Sequence, residues 1–152
     1  MKICIIDDDW VCRFINQKLI GKILEEPNVL QFEDGQDAFD FFEQWQHTPG
    51  NLPDVILLDI NMPRMDGWQF IEMFRNLKNH HYNPFIYISS SSQHPDDMAR
   101  ATAYPEINGY LPKPLSIEVL KKVLSDVSGA ESSSSLQERY KVGWQNRQHA
   151  HA

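Results

Sequence analysis

The chain has 152 residues, a formal net charge of −7 and 41% hydrophobic residues, an ordinary balance for one globular domain with a real core. No apolar run approaches the length of a membrane span, and the opening "MKICIIDDD" runs straight into acids with no signal-peptide core, so a cytoplasmic protein is expected. Residues 1–127 carry 11 Lys+Arg against 19 Asp+Glu, and this acidic body argues against nucleic acid as a direct partner.

In chain order, apolar runs alternate with amphipathic segments. "KICII" (2–6) reads as a strand. Val11, Phe14, Ile15, Leu19 and Ile23 recur at threes and fours and predict the inner face of a helix that Pro27 helps to end near residue 25. Cys4 and Cys12 fit neither a redox pair nor a zinc pattern and are read as free thiols. A second strand, 28–32, precedes a helix over 34–46 with Phe39, Phe42 and Trp45 in its stripe, and 47–53 is a Pro- and Gly-containing loop.

"DVILLD" (54–59) is the third strand. Asp66 then caps a helix to about Lys78, with Phe70, Met73, Phe74 and Leu77 inward. A fourth strand spans 84–89, a weakly patterned helix 95–103, a fifth strand 107–111 and a fifth helix 115–127. His80, His81 and His94 fall in loops or at helix ends without ligand spacing.

Five βα units in sequence imply an α/β fold: a doubly wound, parallel five-stranded sheet with right-handed crossovers. In such sheets ligands sit beyond the carboxyl ends of the strands. The residues there are Asp7, Asp8 and Asp9 after strand one, Asp59 after strand three, Ser89 to Ser92 after strand four, and Lys113-Pro114 after strand five. In the order 2-1-3-4-5 strand one lies beside strand three, so Asp7 and Asp8 approach Asp59. Their mutual repulsion calls for a hard divalent cation with oxygen ligands, which suits Mg²⁺. A carboxylate beside Mg²⁺ and an ammonium group can attack a phosphoryl group, with Lys113 and the Ser89 hydroxyl against its oxygens. Asp9 reads as the cap of helix one, Asp66-Gly67 as a turn and helix start, and Met62, Pro63 and Met65 as residues that shape the loop.

The acidic pair Asp7-Asp8, "DINMPRMDG" with Asp59, Ser89 closing strand four and "GYLPKP" with Lys113-Pro114 together resemble a response-regulator receiver domain, the phospho-acceptor half of two-component signalling. The resemblance covers residues 1 to about 127 and points to a stand-alone receiver with the flavodoxin-like fold. It implies that Asp59 is phosphorylated by a sensor histidine kinase or phosphotransfer protein. It further implies that Asp8, Asp59 and the Asn61 backbone carbonyl ligate Mg²⁺, that Asp7 acts through water, and that Lys113 pairs with the phosphoryl group across a cis Lys113-Pro114 bond. Ser89 and Tyr110 would form the switch pair, Asn61 and Ser91 would tune dephosphorylation, and a protein target would read the helix 4–strand 5–helix 5 face. The homodimer is left open. Tyr104-Pro105 stands where many receivers carry small residues.

Two other readings remain. "IIDDDWV" also fits the first motif of haloacid-dehalogenase-type phosphatases, with Asp7 as nucleophile, Asp9 as acid/base, and Ser89 and Lys113 as later motifs. That reading gives Asp59 no role and lacks the acidic pair expected after the lysine. A flavodoxin-like nucleotide binder lacks a Gly-rich phosphate loop after strand one. From Ser128 the patterning stops; 128–152 reads as a Ser-rich flexible tail, in which Leu136, Tyr140 and Trp144 recur at four.

Overall fold

The computed structural model describes residues 1–77 and 81–132, with side chains to Ala130. Five strands, β1 (Lys2–Ile6), β2 (Asn28–Phe32), β3 (Val55–Leu58), β4 (Phe85–Ser90) and β5 (Ile107–Pro112), form one parallel sheet in the order β2-β1-β3-β4-β5. Between and after them run α1 (Trp10–Ile23), α2 (Gly35–Trp45), α3 (Gly67–Arg75), α4 (Pro95–Ala103) and α5 (Ile117–Ser132), with a single 3-10 turn at Pro49–Asn51. The expected fold and strand order are thus observed.

The sheet is covered on both faces. β3 and β4 are buried along their whole length, which is why they read as unbroken apolar runs rather than alternating ones. On one face Ile6, Ile56, Leu58, Ile86 and Ile88 pack with Phe42 of α2 and Phe70 and Ile71 of α3. On the other, Ile3, Ile5, Val55 and Leu57 pack with Ile20 of α1 and Leu120, Val123, Leu124 and Val127 of α5.

Several local expectations change. On α1, Val11, Phe14 and Ile15 are exposed, whereas Asn16 and Ile20 are buried and Leu19 and Ile23 half-buried against the core. A 3.6-residue helix carrying apolar side chains on two sides satisfies the same spacing rule twice, and the sequence does not say which side meets the sheet. Met73 on α3 is likewise exposed, and Trp68 and Ile71 are buried in the face expected to hold it. β4 extends to Ser90 because the Ser90 carbonyl accepts from the Lys113 amide at 2.9 Å. α5 runs five residues past the expected end at 127, so 128–132 are helical rather than linker. α3 ends at Arg75 with Asn76 as its C-cap, short of the expected end near Lys78; Lys78 itself, His80, and the tail from residue 133 with Leu136, Tyr140 and Trp144 lie outside the described residues.

Close approaches set the loop after β3. Gly67 opens α3 directly against the backbone that follows β3: a Cβ there would meet the Asp59 carbonyl oxygen at 2.4 Å and Ile60 Cα at 2.7 Å. Neither atom belongs to a side chain that could swing away. Gly21, inside α1, has nothing within 4 Å of the same position. Gly67→Ala is therefore expected to destabilise the fold by about 2–3 kcal/mol. Gly21→Ala should be neutral or stabilise by up to about 1 kcal/mol. Urea denaturation of the two variants checks both, and equal midpoints would refute the contact.

Candidate functional site

The sheet's carboxyl edge collects the acids. Asp7 and Asp59 each follow directly on a strand, and the ladder continues through them: the Asp7 amide donates to Phe32 O at 3.0 Å and the Asp59 amide to Ile6 O at 2.8 Å. The chain has no freedom to separate the two carboxylates without breaking those bonds. Asp7 and Asp59 are buried, and Asp8 is exposed beside them. One carboxylate oxygen from each of Asp7, Asp8 and Asp59 lies within 4.8 Å of the other two.

Lys113 reaches into this mouth from the end of β5. Its Nζ is 2.6 Å from Asp7 Oδ2 and 3.5 Å from Asp59 Oδ2. The Lys113-Pro114 bond is cis, as expected. Burial works against the lysine's charge, yet the hydrogen bond to Asp7 and the field of Asp59 hold its pKa above the usual value. Asp59 is pushed the other way. Burial raises its pKa to about 6, with Asp7 and Asp8 adding to the rise and Lys113 and the Asn61 amide opposing it. Asp59 is thus a buried carboxylate held by Lys113 at 3.5 Å and by the Asn61 amide at 3.3 Å.

The donors available to a cation are all oxygens, three carboxylates against one ammonium, and Asp8 faces solvent. That set fits a small hard divalent cation that keeps part of its water shell, so the residues suit Mg²⁺. A second observation concerns the opposite side of Asp59. The β3–β4 register pairs Leu58 with Ile88, which brings Asp59 beside Ser89 at the next position. Ser89 Oγ is buried and has no hydrogen-bond partner among the described residues. A buried hydroxyl without a partner costs about 1–3 kcal/mol, a cost that an anionic group on Asp59 would relieve.

Asp9 is the N-cap of α1, accepting from the Val11 amide at 2.9 Å. It is thereby committed to the helix start. Asn61 is exposed at the rim, and its amide reaches Asp59 Oδ1 at 3.3 Å. Ser91 is exposed and one residue past β4. Tyr110 is half-buried and donates to the Ser92 carbonyl at 2.6 Å; its backbone partner is Ile88, and no hydrogen bond joins it to Ser89. Met62 and Met65 are buried in the core, which fixes the loop as expected. His94 caps α4 through Nδ1.

Three contributors escaped the sequence reading. Arg13 of α1 donates to the Asp7 carbonyl at 2.6 Å and steadies the acidic turn. Arg64, in the left-handed region at φ 63°, pairs with Asp34, the N-cap of α2, and lies 3.6 Å from Asp37. It clamps the loop that bears Asn61 onto α2. Tyr104 stacks on Trp68 with centroids 5.7 Å apart and donates to Glu72 at 2.8 Å, joining α4 to α3 where a small residue would leave a gap. Only the Tyr104-Pro105 departure signalled any of these.

The family model described as response regulator receiver domain matches residues 3–125. A chemotaxis protein CheY homolog of Campylobacter jejuni is 28% identical over 138 residues, which is 91% of this chain and 100% of that one. A two component response regulator from Cytophaga hutchinsonii superposes with a TM-score of 0.75 at 27% identity, covering 84% of this chain and 96% of that one. A response regulator receiver protein from Dyadobacter fermentans gives 0.69 at 31% identity over 84% and 97%. The phosphatase alternative finds no support in these likenesses.

Because Asp59 takes up its proton more readily folded than unfolded, its contribution to stability is full below 3.8 and is lost as pH rises through about 6. In buffer free of divalent ions, Asp59→Asn is therefore expected to stabilise the protein at pH 7.5, on the order of 1–2 kcal/mol after allowance for solvent at the mouth, and to be near neutral at pH 3.5. Denaturation of both proteins at the two pH values checks it. A variant equal to the parent at pH 7.5 would show that the site does not strain Asp59.

Proposed function

The chain belongs to the response regulator receiver domain family, and on that footing we propose that Asp59 accepts a phosphoryl group from a phosphohistidine and that the phosphorylated site signals to a protein partner. The observation that supports Asp59 over its neighbours is its surroundings: Lys113 on one side, the partnerless Ser89 hydroxyl on the other, and Asp7 and Asp8 across the mouth. Asp7 is already bound to Lys113, and Asp9 to its helix cap.

In this reading an Asp59 carboxylate oxygen forms a bond to phosphorus as the phosphorus–nitrogen bond of the donor breaks, and the imidazole leaves with its electron pair. Lys113 moves from Asp59 to a phosphoryl oxygen, keeping Asp7 as its second partner. Ser89 donates its free hydroxyl to another oxygen. Asp8, Asp59 and the Asn61 carbonyl would hold Mg²⁺, with Asp7 acting through water. When bound, Mg²⁺ neutralises the crowded carboxylates and the charge of the incoming group. The chain thus catalyses its own modification without being a conventional enzyme.

Signalling follows from Ser89. Drawing its hydroxyl toward the phosphoryl group shifts the end of β4, to which Tyr110 is tied through Ser92, and so alters the α4–β5–α5 face. We place the receiver at residues 1–127 with the rest of α5 to Ser132 continuing it, and the tail at 133–152. The donor is a sensor histidine kinase or phosphotransfer protein. No helix among the described residues is long and apolar enough to cross a membrane, and a cytoplasmic setting agrees with this reading.

Acetyl phosphate with Mg²⁺ is expected to add one phosphoryl group at Asp59. Asp59→Asn should take up none there, and Asp8→Ala should weaken Mg²⁺ binding at least tenfold. Intact-mass and peptide mapping decide; label on Asp7 would overturn the assignment. Asn61→Arg, at the exposed rim, should lengthen the phosphorylated state several-fold by obstructing the attacking water. Loss of label after donor removal measures this, and unchanged decay would remove Asn61 and Ser91 from control of hydrolysis.

A further inference from the structure

The loop between Asp59 and α3 leaves β3 and closes on itself before the helix begins. The Gly67 amide donates to the Ile60 carbonyl at 3.1 Å, and inside the loop the Asn61 amide reaches Asp59 Oδ1 at 3.3 Å. The orientation of the Asp59 carboxylate therefore depends on where this loop lies. Its outer part meets the start of α2 in two places. The Met65 carbonyl sits so close to Gly35 that a Cβ there would come within 2.7 Å of it, and the Arg64 guanidinium pairs with Asp34.

Two features set Arg64 apart from an ordinary surface arginine. Its backbone lies in the left-handed region at φ 63°, where Gly or Asn is favoured, so conformation alone does not call for this side chain. Its partner is buried: the Asp34 side chain is 6% exposed, against 62% for Arg64. Asp34 Oδ1 accepts from the Asp37 amide at 2.9 Å as the cap of α2, and Asp34 Oδ2 binds Arg64. Both oxygens are committed. The pair is thus anchored at one end in a helix start, unlike a pair between two mobile side chains in water.

We infer that Arg64 is a positioning residue: by clamping the loop to α2 it holds the Asn61 amide on Asp59, and so sets the affinity of the Asp7, Asp8 and Asp59 cluster for Mg²⁺. This rests on the proposed uptake of Mg²⁺ by that cluster; the Asn61 carbonyl proposed as a ligand belongs to the same clamped residue. Sign separates the clamp from a plain effect of charge. Arg64 is a cation on the loop that leaves Asp59, so its removal would by field alone tighten the binding of another cation. Loss of a clamp does the reverse, because a carboxylate released from its orienting amide must be ordered again when the ion binds.

The test titrates the full chain, labelled with ¹⁵N, with MgCl₂ in the absence of any phosphodonor, following the amide signals of Asp8, Asp59 and Asn61. Arg64→Gly keeps a residue suited to the left-handed backbone and removes only the side chain. It is expected to weaken Mg²⁺ binding about tenfold, the low end for groups that orient metal ligands, and to raise hydrogen exchange at the Asn61 amide severalfold. Arg64→Lys, which keeps a cation in reach of Asp34, should fall between the two. Asp34→Asn retains a good helix cap but loses the charge, and should weaken binding by a similar factor; it decides the matter if Arg64→Gly lowers the urea midpoint. The double variant should bind no more weakly than the weaker single one, since both break the same pair. Arg64→Gly that binds Mg²⁺ as tightly as the parent, or more tightly, would overturn the clamp alone. Losses that multiply in the double variant would overturn it too, by showing that the two residues act separately. A parent chain that takes up no Mg²⁺ would overturn the clamp together with the proposed metal site.

Discussion

Lys113 brings a single positive charge to a mouth that holds three carboxylates, and the arrangement around it follows from that shortfall. The ammonium is bound closely by Asp7 and more loosely by Asp59. Asp59 is thus left incompletely compensated in a buried place, and its pKa rises. A folded protein keeps such a site only because the backbone leaves no alternative. The ladder bonds that hold Asp7 to β2 and Asp59 to β1 fix both side chains before their electrostatics enter. Cohesion of the two cores maintains an acidic cluster that would repel itself apart on a less constrained chain.

The surrounding loops preserve the same geometry. Gly67 lets α3 begin against the backbone of Asp59 and Ile60, and Asp66 caps that helix in a reciprocal pairing with Gln69. Arg64 ties the intervening loop to Asp34 at the start of α2, while Met62 and Met65 anchor it in the core. Arg13 holds the Asp7 carbonyl from α1. Each of these contacts joins the carboxyl edge to a different helix, so a change of charge at Asp59 meets a rigid frame on the α1, α2 and α3 sides. On the α4 side, Tyr110 to Ser92 and Ser92 to Asp97 are polar bonds at the end of β4, while Ala101 and Tyr104 pack in the core and Tyr104 stacks on Trp68 of α3.

α1 shows where periodicity misleads. Its apolar residues lie in two stripes: Asn16, Leu19, Ile20 and Ile23 face the sheet, and Val11, Phe14 and Ile15 face away. The series at threes and fours crosses from one stripe to the other, so spacing alone assigned both to the core. Met73 on α3 is the same error on a smaller scale. In contrast α2, with one stripe and a sharply polar opposite side, was read correctly at Phe39 and Phe42.

The sequence by itself determined the element order, the parallel sheet and the residues at its carboxyl edge, because buried parallel strands need unbroken apolar runs and each run ends where its first carboxylate, hydroxyl or lysine appears. It thereby marked Asp7, Asp8, Asp59, Ser89 and Lys113 before any contact was known. Tertiary structure alone decided how the charges are shared: that Asp7 takes the close bond to Lys113, that Ser89 Oγ has no partner among the described residues and that Tyr110 binds the Ser92 carbonyl. It also decided which stripe of α1 is buried and that Arg13 and Arg64 serve the site. These depend on distances between side chains far apart in the chain, and local propensity carries no record of them.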